Sequence, residues 1–139
     1  MMARGKTVQA RRGEARLYVE KAVQFIEQAR SRLDANRNDA ALLDAIHAAI
    51  SATDAATIAL AGIRSTDPDH QRAGDLLDEV AGADPDGRQR ARQLRALLAR
   101  KNAVEYGSRK ASAKDARDGV ERADRILDWA KDVVAKARL

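Results

Sequence analysis

Apolar residues recur three and four positions apart through five separate stretches of the chain, the spacing of one buried helical face. Tyr18, Ala22, Phe25, Ala29 and Leu33 form the first stripe, widened by Val19, Val23 and Ile26, and predict a helix from about Gly13 to Ala35. Asn36-Arg37-Asn38 breaks it. Asn38 is suited to cap a second helix, with Asp39 favourably placed in its first turn. That helix runs to about Ile63 through Leu43, Ile46, Ile50, Ile58 and Ala61, with many alanines between; it is the most apolar and is predicted to be central. Gly62 and Ser65-Thr66 end it. Asp67-Pro68 reads as an N-cap followed by proline at the first helical position, opening a short third helix to about Val80, where Ala81-Gly82 stops it. Asp84-Pro85 repeats that signal for a fourth helix carrying Leu94, Leu97, Leu98 and Val104, closed by Gly107. Ser112 and Asp115 resemble a capping box. They open a fifth helix with Val120, Ala123, Ile126, Leu127, Ala130, Val133 and Val134 inward. The connections are short, so residues 13–139 are predicted to form one all-α domain, an antiparallel bundle of about five helices.

Composition narrows the chemistry. Aromatic residues make up 3% of the 139 residues, so alanine and aliphatic side chains must fill the core, and each alanine buries little area. The chain has no cysteine, which excludes a disulfide framework, a thiolate metal site and a cysteine nucleophile. No stretch approaches the ~20 apolar residues of a membrane span, and no apolar run follows the first residues as in a secretory signal, so a cytoplasmic protein is expected. Residues 1–12 are basic and lack periodicity, and are read as a disordered tail. Charge is uneven: residues 1–16 carry +4 and residues 88–110, including Arg109 and Lys110, carry +7, which leaves −6 on the rest of a chain whose net charge is +5. Two basic segments on an otherwise acidic chain point to a polyanionic partner.

The fourth helix holds most of the chemistry. At 100° per residue, Arg88, Arg92, Arg95 and Tyr106 fall on one side with the small Ala99 and Ala103, and Leu94, Leu97 and Leu98 on the other. Lys101 and Glu105 lie near the leucine side, four residues apart. On the second helix His47, Ile50, Asp54 and Ala61 share a face. His47 and Asp54 are two turns apart, roughly 10 Å along the axis, too far to chelate one metal ion by themselves. His47, Asp54 and Glu105 are read as buried polar support, with Asp54 hydrogen-bonded to a group such as Lys101 or Tyr106. His70 is expected near a helix start. No phosphate loop, HExxH or EF-hand spacing occurs, and no serine stands at motif spacing from a histidine. No metal and no cofactor is therefore expected.

Two segments resemble a known family, the HEPN domain, named for higher eukaryotes and prokaryotes nucleotide-binding. One is Ala45-Ile46-His47-Ala48-Ala49-Ile50, through Asp54-Ala55 to Gly62 and His70. The other is Arg100-Lys101-Asn102-Ala103-Val104-Glu105-Tyr106-Gly107, followed by Asp115-Ala116 and a last helix with Ala123. Together they span about residues 40–135. The second is similar to an R-x-x-A-x-x-Y version of the family's functional helix. The resemblance implies the helical fold, a homodimer formed through this helix, and contact with RNA or a nucleotide; the +7 segment offers the cations for that contact, Arg88, Arg92, Arg95, Arg100 and Lys101. It is equally compatible with a protein partner of the toxin–antitoxin type. Many members are metal-independent RNA endonucleases with an arginine, a following polar residue and a histidine four to six residues after the arginine. On that pattern Arg100, or Lys101, would be the basic group and Asn102 the polar one. Tyr106 stands where the histidine belongs, and tyrosine is a poor general base near neutral pH because its unperturbed pKa is about 10. The resemblance therefore implies a binding or regulatory domain before a ribonuclease that uses Arg100, Asn102 and Tyr106.

Overall fold

The computed structural model describes residues 4–107 and 110–139, so Arg109 of the basic segment lies outside the described residues. Five helices make up the bundle: α1 (Ala15–Asp34), α2 (Asn38–Ala61), α3 (Gln71–Ala81), α4 (Pro85–Glu105) and α5 (Ala113–Lys136). The all-α reading holds. α2 is central, packed by α1, α5, α3 and α4. Its alanines at 41, 45, 48, 49, 52, 55, 56 and 59 are all buried. Small side chains let the neighbouring helices come close, and the larger Leu42, Ile46, Leu94, Leu97, Ile126 and Leu127 fill the space that remains.

The ends of the helices show which start and stop signals the chain uses. Gly62 adopts φ 68° and terminates α2 in the left-handed conformation that glycine accepts without strain. Asp84 caps α4 by accepting from the Asp86 N–H at 3.0 Å, with Pro85 at the first position. Ser112 and Asp115 form the predicted capping box. Asn38 lies inside the first turn of α2, and Arg37 is the capping residue without a side-chain bond. Asp39 instead accepts from the Ala111 N–H at 2.7 Å and ties the α4–α5 connection to the start of α2.

Two readings are corrected. Residues 4–12 do not form a loose tail. Thr7–Gln9 is a strand, β1, paired antiparallel with a second strand, β2 (Ile63–Ser65), in the register Thr7 with Ser65. Arg12 then donates twice to the Ala59 carbonyl at the end of α2. A run without helical periodicity can still be ordered when a neighbouring edge accepts its backbone bonds. The second correction follows from the first. Asp67-Pro68 does not open α3, because the Asp67 carboxylate is committed to this ribbon: it accepts from Lys6 N–H at 3.0 Å and from Asp69 N–H at 2.9 Å. These backbone bonds, with that of Asp69 foremost, hold its pKa below the usual carboxylate value. Asp69 accepts from the Gln71 N–H in turn, and α3 begins there, three residues later than predicted.

Candidate functional site

α4 sorts its cations by what stands opposite them. Arg95 faces α3, where its two terminal nitrogens reach Asp78 at 2.6 Å and Asp75 at 2.7 Å. Partial desolvation works against this guanidinium, but hydrogen bonds to Asp75 and Asp78 outweigh it and raise its pKa. Gly74 makes room for its stem, since a Cβ there would come within 3.0 Å of Arg95 Cγ. Arg95 is a strut between α3 and α4 and is not free to meet a phosphate. Arg100 donates to Asp115 of the capping box at 3.0 Å and lines a small cleft with Leu42, Val104 and Ala111. Arg88 and Arg92 remain exposed, and neither has an ion pair among the described residues. Of the five cations expected to contact nucleic acid, these two alone are both exposed and uncommitted. The fifth, Lys101, is half-buried and bonds Glu105 at 2.6 Å.

The same geometry separates the three expected catalytic residues. Successive residues on a helix turn by about 100°, so Arg100 and Asn102 point to different sides. Arg100 faces α5. Lys101, Asn102 and Tyr106 line another cleft, of about 270 Å³, with Leu98, the α2–α3 connection at Pro68, Asp69 and His70, and Gln71 at the start of α3. Tyr106 is 76% exposed and Lys101 Nζ lies 5.7 Å from its ring centroid. Gly107 follows without left-handed geometry; it is needed because a Cβ would come within 2.5 Å of the Ala103 carbonyl oxygen.

His70 is brought to this cleft from outside α4. Burial is the main cause that lowers its pKa, followed by the charges of Lys101 and His47. Its imidazole is therefore neutral at physiological pH. The Lys101 hydrogen bond is the main reason the Glu105 carboxylate titrates below its ordinary range. Glu105 is exposed, which corrects its reading as buried support.

A larger cleft, about 700 Å³, runs along the α1–α2 seam. His47 and Asp54 both line it, as their shared face predicts. They differ in depth: His47 is exposed and stacks on Phe25 with ring centroids 5.4 Å apart, whereas Asp54 is 9% exposed. His47 is thus corrected from buried to surface, and Asp54 touches neither Lys101 nor Tyr106. The groups whose charges bear on Asp54 are Arg64 of β2 and Lys21 of α1, and burial outweighs both, raising its pKa to about 7. Lys21 and Arg64 also stand 5.4 and 5.6 Å from the centre of the Tyr18 ring. Periodicity assigns Tyr18 to the core and gives no sign of Lys21 or Arg64; only the reach of the Arg64 side chain from β2 to the Tyr18 ring joins them.

A family model, HEPN domain, matches residues 15–133, nearly the whole of the bundle. The chain belongs to the HEPN domain family. The match includes every residue of the three clefts named above. Among curated proteins, none matches the chain. No helix of this HEPN domain is long and apolar enough, among the described residues, to cross a membrane.

Proposed function

We propose that this HEPN domain binds single-stranded RNA at the cleft between α4 and the α2–α3 connection. The observation that carries the reading is Tyr106, 76% exposed, with Lys101 beside its ring and Asn102 and His70 lining the same cleft. An exposed aromatic ring offers a face on which an unpaired base stacks, and an amide can bond a base edge; Lys101, paired with Glu105, keeps a cation beside the ring. Membership of the HEPN family, whose name refers to nucleotide binding, supports the same ligand class. Arg88 and Arg92 extend the basic surface toward the start of α4. Binding of an oligoribonucleotide is expected to fall steeply with salt, as phosphate contacts require. Tyr106→Ala is expected to weaken it by roughly tenfold or more, on the scale of one lost base stack. Binding that is absent at low salt, or indifferent to salt, removes this reading.

Metal-independent cleavage is the second reading, favoured by the neutral His70 at the cleft, since a neutral imidazole can accept a proton. The same RNA, incubated with EDTA, is then cut by the wild type and spared by His70→Ala. Equal cutting by both points to contamination.

The exposed outer side of α4, with Arg88, Arg92, Ala96, Ala99 and Ala103, supports pairing of two copies through this helix. Small residues permit close approach of two backbones. Light scattering at tens of micromolar is expected to give twice the 15.1 kDa chain mass. A monomer under these conditions removes the pairing.

A further inference from the structure

We infer that the α1–α2 cleft is a second subsite of the same RNA strand, with a backbone phosphate held by Lys21 and Arg64 and a base against His47. The inference rests on the RNA-binding reading above and extends it to a part of the molecule that the α4 residues do not reach.

Four features of the cleft support this. Its volume, about 700 Å³, is within the range of a nucleotide-sized site. Lys21 and Arg64 make no ion pair among the described residues, in contrast to Arg95 and Arg100, and both stand at one aromatic ring, that of Tyr18. Two cations at one ring, neither in an ion pair among the described residues, suit an anion. His47 is supported on one face by Phe25 and is otherwise exposed, so its outer face is open to a planar ring. Asp54 lies in the floor with its carboxyl turned into the cleft and no hydrogen-bond partner for it among the described residues. Its oxygens open onto the cleft, where a base edge bearing N–H groups would reach them.

The acids of the cleft do not cancel its cations. Burial leaves the Asp54 carboxyl only part ionised near neutral pH, and Asp44 is matched by Arg32 at 3.2 Å. The two clefts share no lining residue, but His47 of this one acts on the first through its charge, which bears on His70 and Glu105. One strand can therefore pass from Tyr106 and Lys101 over His47 to Lys21 and Arg64.

The test compares an oligouridylate of about three nucleotides with one of about ten, long enough to occupy both clefts. Wild type, Tyr106→Ala, Lys21→Ala and Arg64→Gln are titrated over a range of salt, with each variant checked for helical content. Lys21→Ala and Arg64→Gln are each expected to weaken the longer strand by about tenfold and leave the shorter one unaffected. Each should also lower the salt slope by about 0.7, the effect of one lost phosphate contact on a single strand, which a general loss of fold would not reproduce. If Tyr106→Ala weakens both strands while Lys21→Ala and Arg64→Gln bind the longer strand like wild type, the second subsite is overturned and the α4 reading stands. If neither strand binds wild type at low salt, the α4 reading falls and the subsite with it.

Discussion

Asp54→Asn is expected to stabilise the protein by about 4 kcal/mol at pH 8 and by very little near pH 4. Asp54 sits in the floor of the α1–α2 cleft, 9% exposed, with a carboxyl whose pKa burial raises from 3.8 to about 7. The folded state therefore holds the proton more tightly than the unfolded chain does. Between pH 4 and pH 7 the unfolded chain ionises at this residue while the folded one resists, so stability falls as pH rises through that window. Above it both states are ionised and the full penalty is present. Asparagine keeps the shape and cannot ionise, so it lacks the penalty. The charges facing Asp54 are Lys21 of α1 and Arg64 of β2, both of which favour the ionised form but less strongly than burial opposes it. His47 and Asp44 of α2 and Tyr18 of α1 line the same cleft. Thermal melts of both proteins at pH 4 and pH 8 measure the effect, with a difference in Tm of roughly 10 °C expected at the higher pH. A gain of equal size at both pH values would show that ionisation is not its source. A residue that destabilises the fold this much at neutral pH is of the kind found at binding sites, where function opposes stability. The same variant is predicted to lose affinity for RNA if Asp54 meets a base.

Leu97→Ala is expected to cost about 3 kcal/mol. Leu97 is fully buried where α4 meets α2 and α5, beside Leu42 and Gly119. Gly119 lets α5 approach so closely that a Cβ at that position would lie 2.5 Å from Leu42 Cδ1 and 3.5 Å from Leu97 Cδ2. Packing this tight has little freedom to collapse into the space that alanine would leave, so the loss includes both the transfer of the missing methyls and the cavity. Denaturant unfolding measures it, and a cost below about 1 kcal/mol would mean that the three helices close over the gap. The contact matters for the site because Leu97 and Leu98 fix the rotation of α4. That rotation turns Tyr106 and Asn102 to the surface and Arg100 toward Asp115.

The helices were legible because their signals are local. The stripes of α1 and α5, the Asp84-Pro85 start, the Ser112–Asp115 box and Gly62 each act within a few residues of the chain, where spacing is all that matters. The Lys101–Glu105 pair was legible for the same reason, since one helical turn joins them. Asp67-Pro68 has the same form as Asp84-Pro85 and behaves differently, because Lys6, distant in sequence, takes a share of the Asp67 carboxylate.

By itself, then, the sequence determined that this is a helical HEPN bundle and that a basic fourth helix carries Arg88, Arg92, Arg95 and Tyr106 on one side, with a Lys101–Glu105 pair near its leucine side. Helical periodicity and capping are properties of neighbouring residues, and family resemblance is a property of the order in which they come. Only the tertiary structure decided which cations are committed. Arg95 is indistinguishable from Arg88 and Arg92 by spacing, and differs because Asp75 and Asp78 are brought opposite it from α3, as Asp115 of α5 is brought opposite Arg100. It also decided that His70 reaches the α4 cleft, and that Lys21, Arg64 and the buried Asp54 share another. Each of these depends on which elements pack against one another, and the field at an ionisable group is summed over all of them.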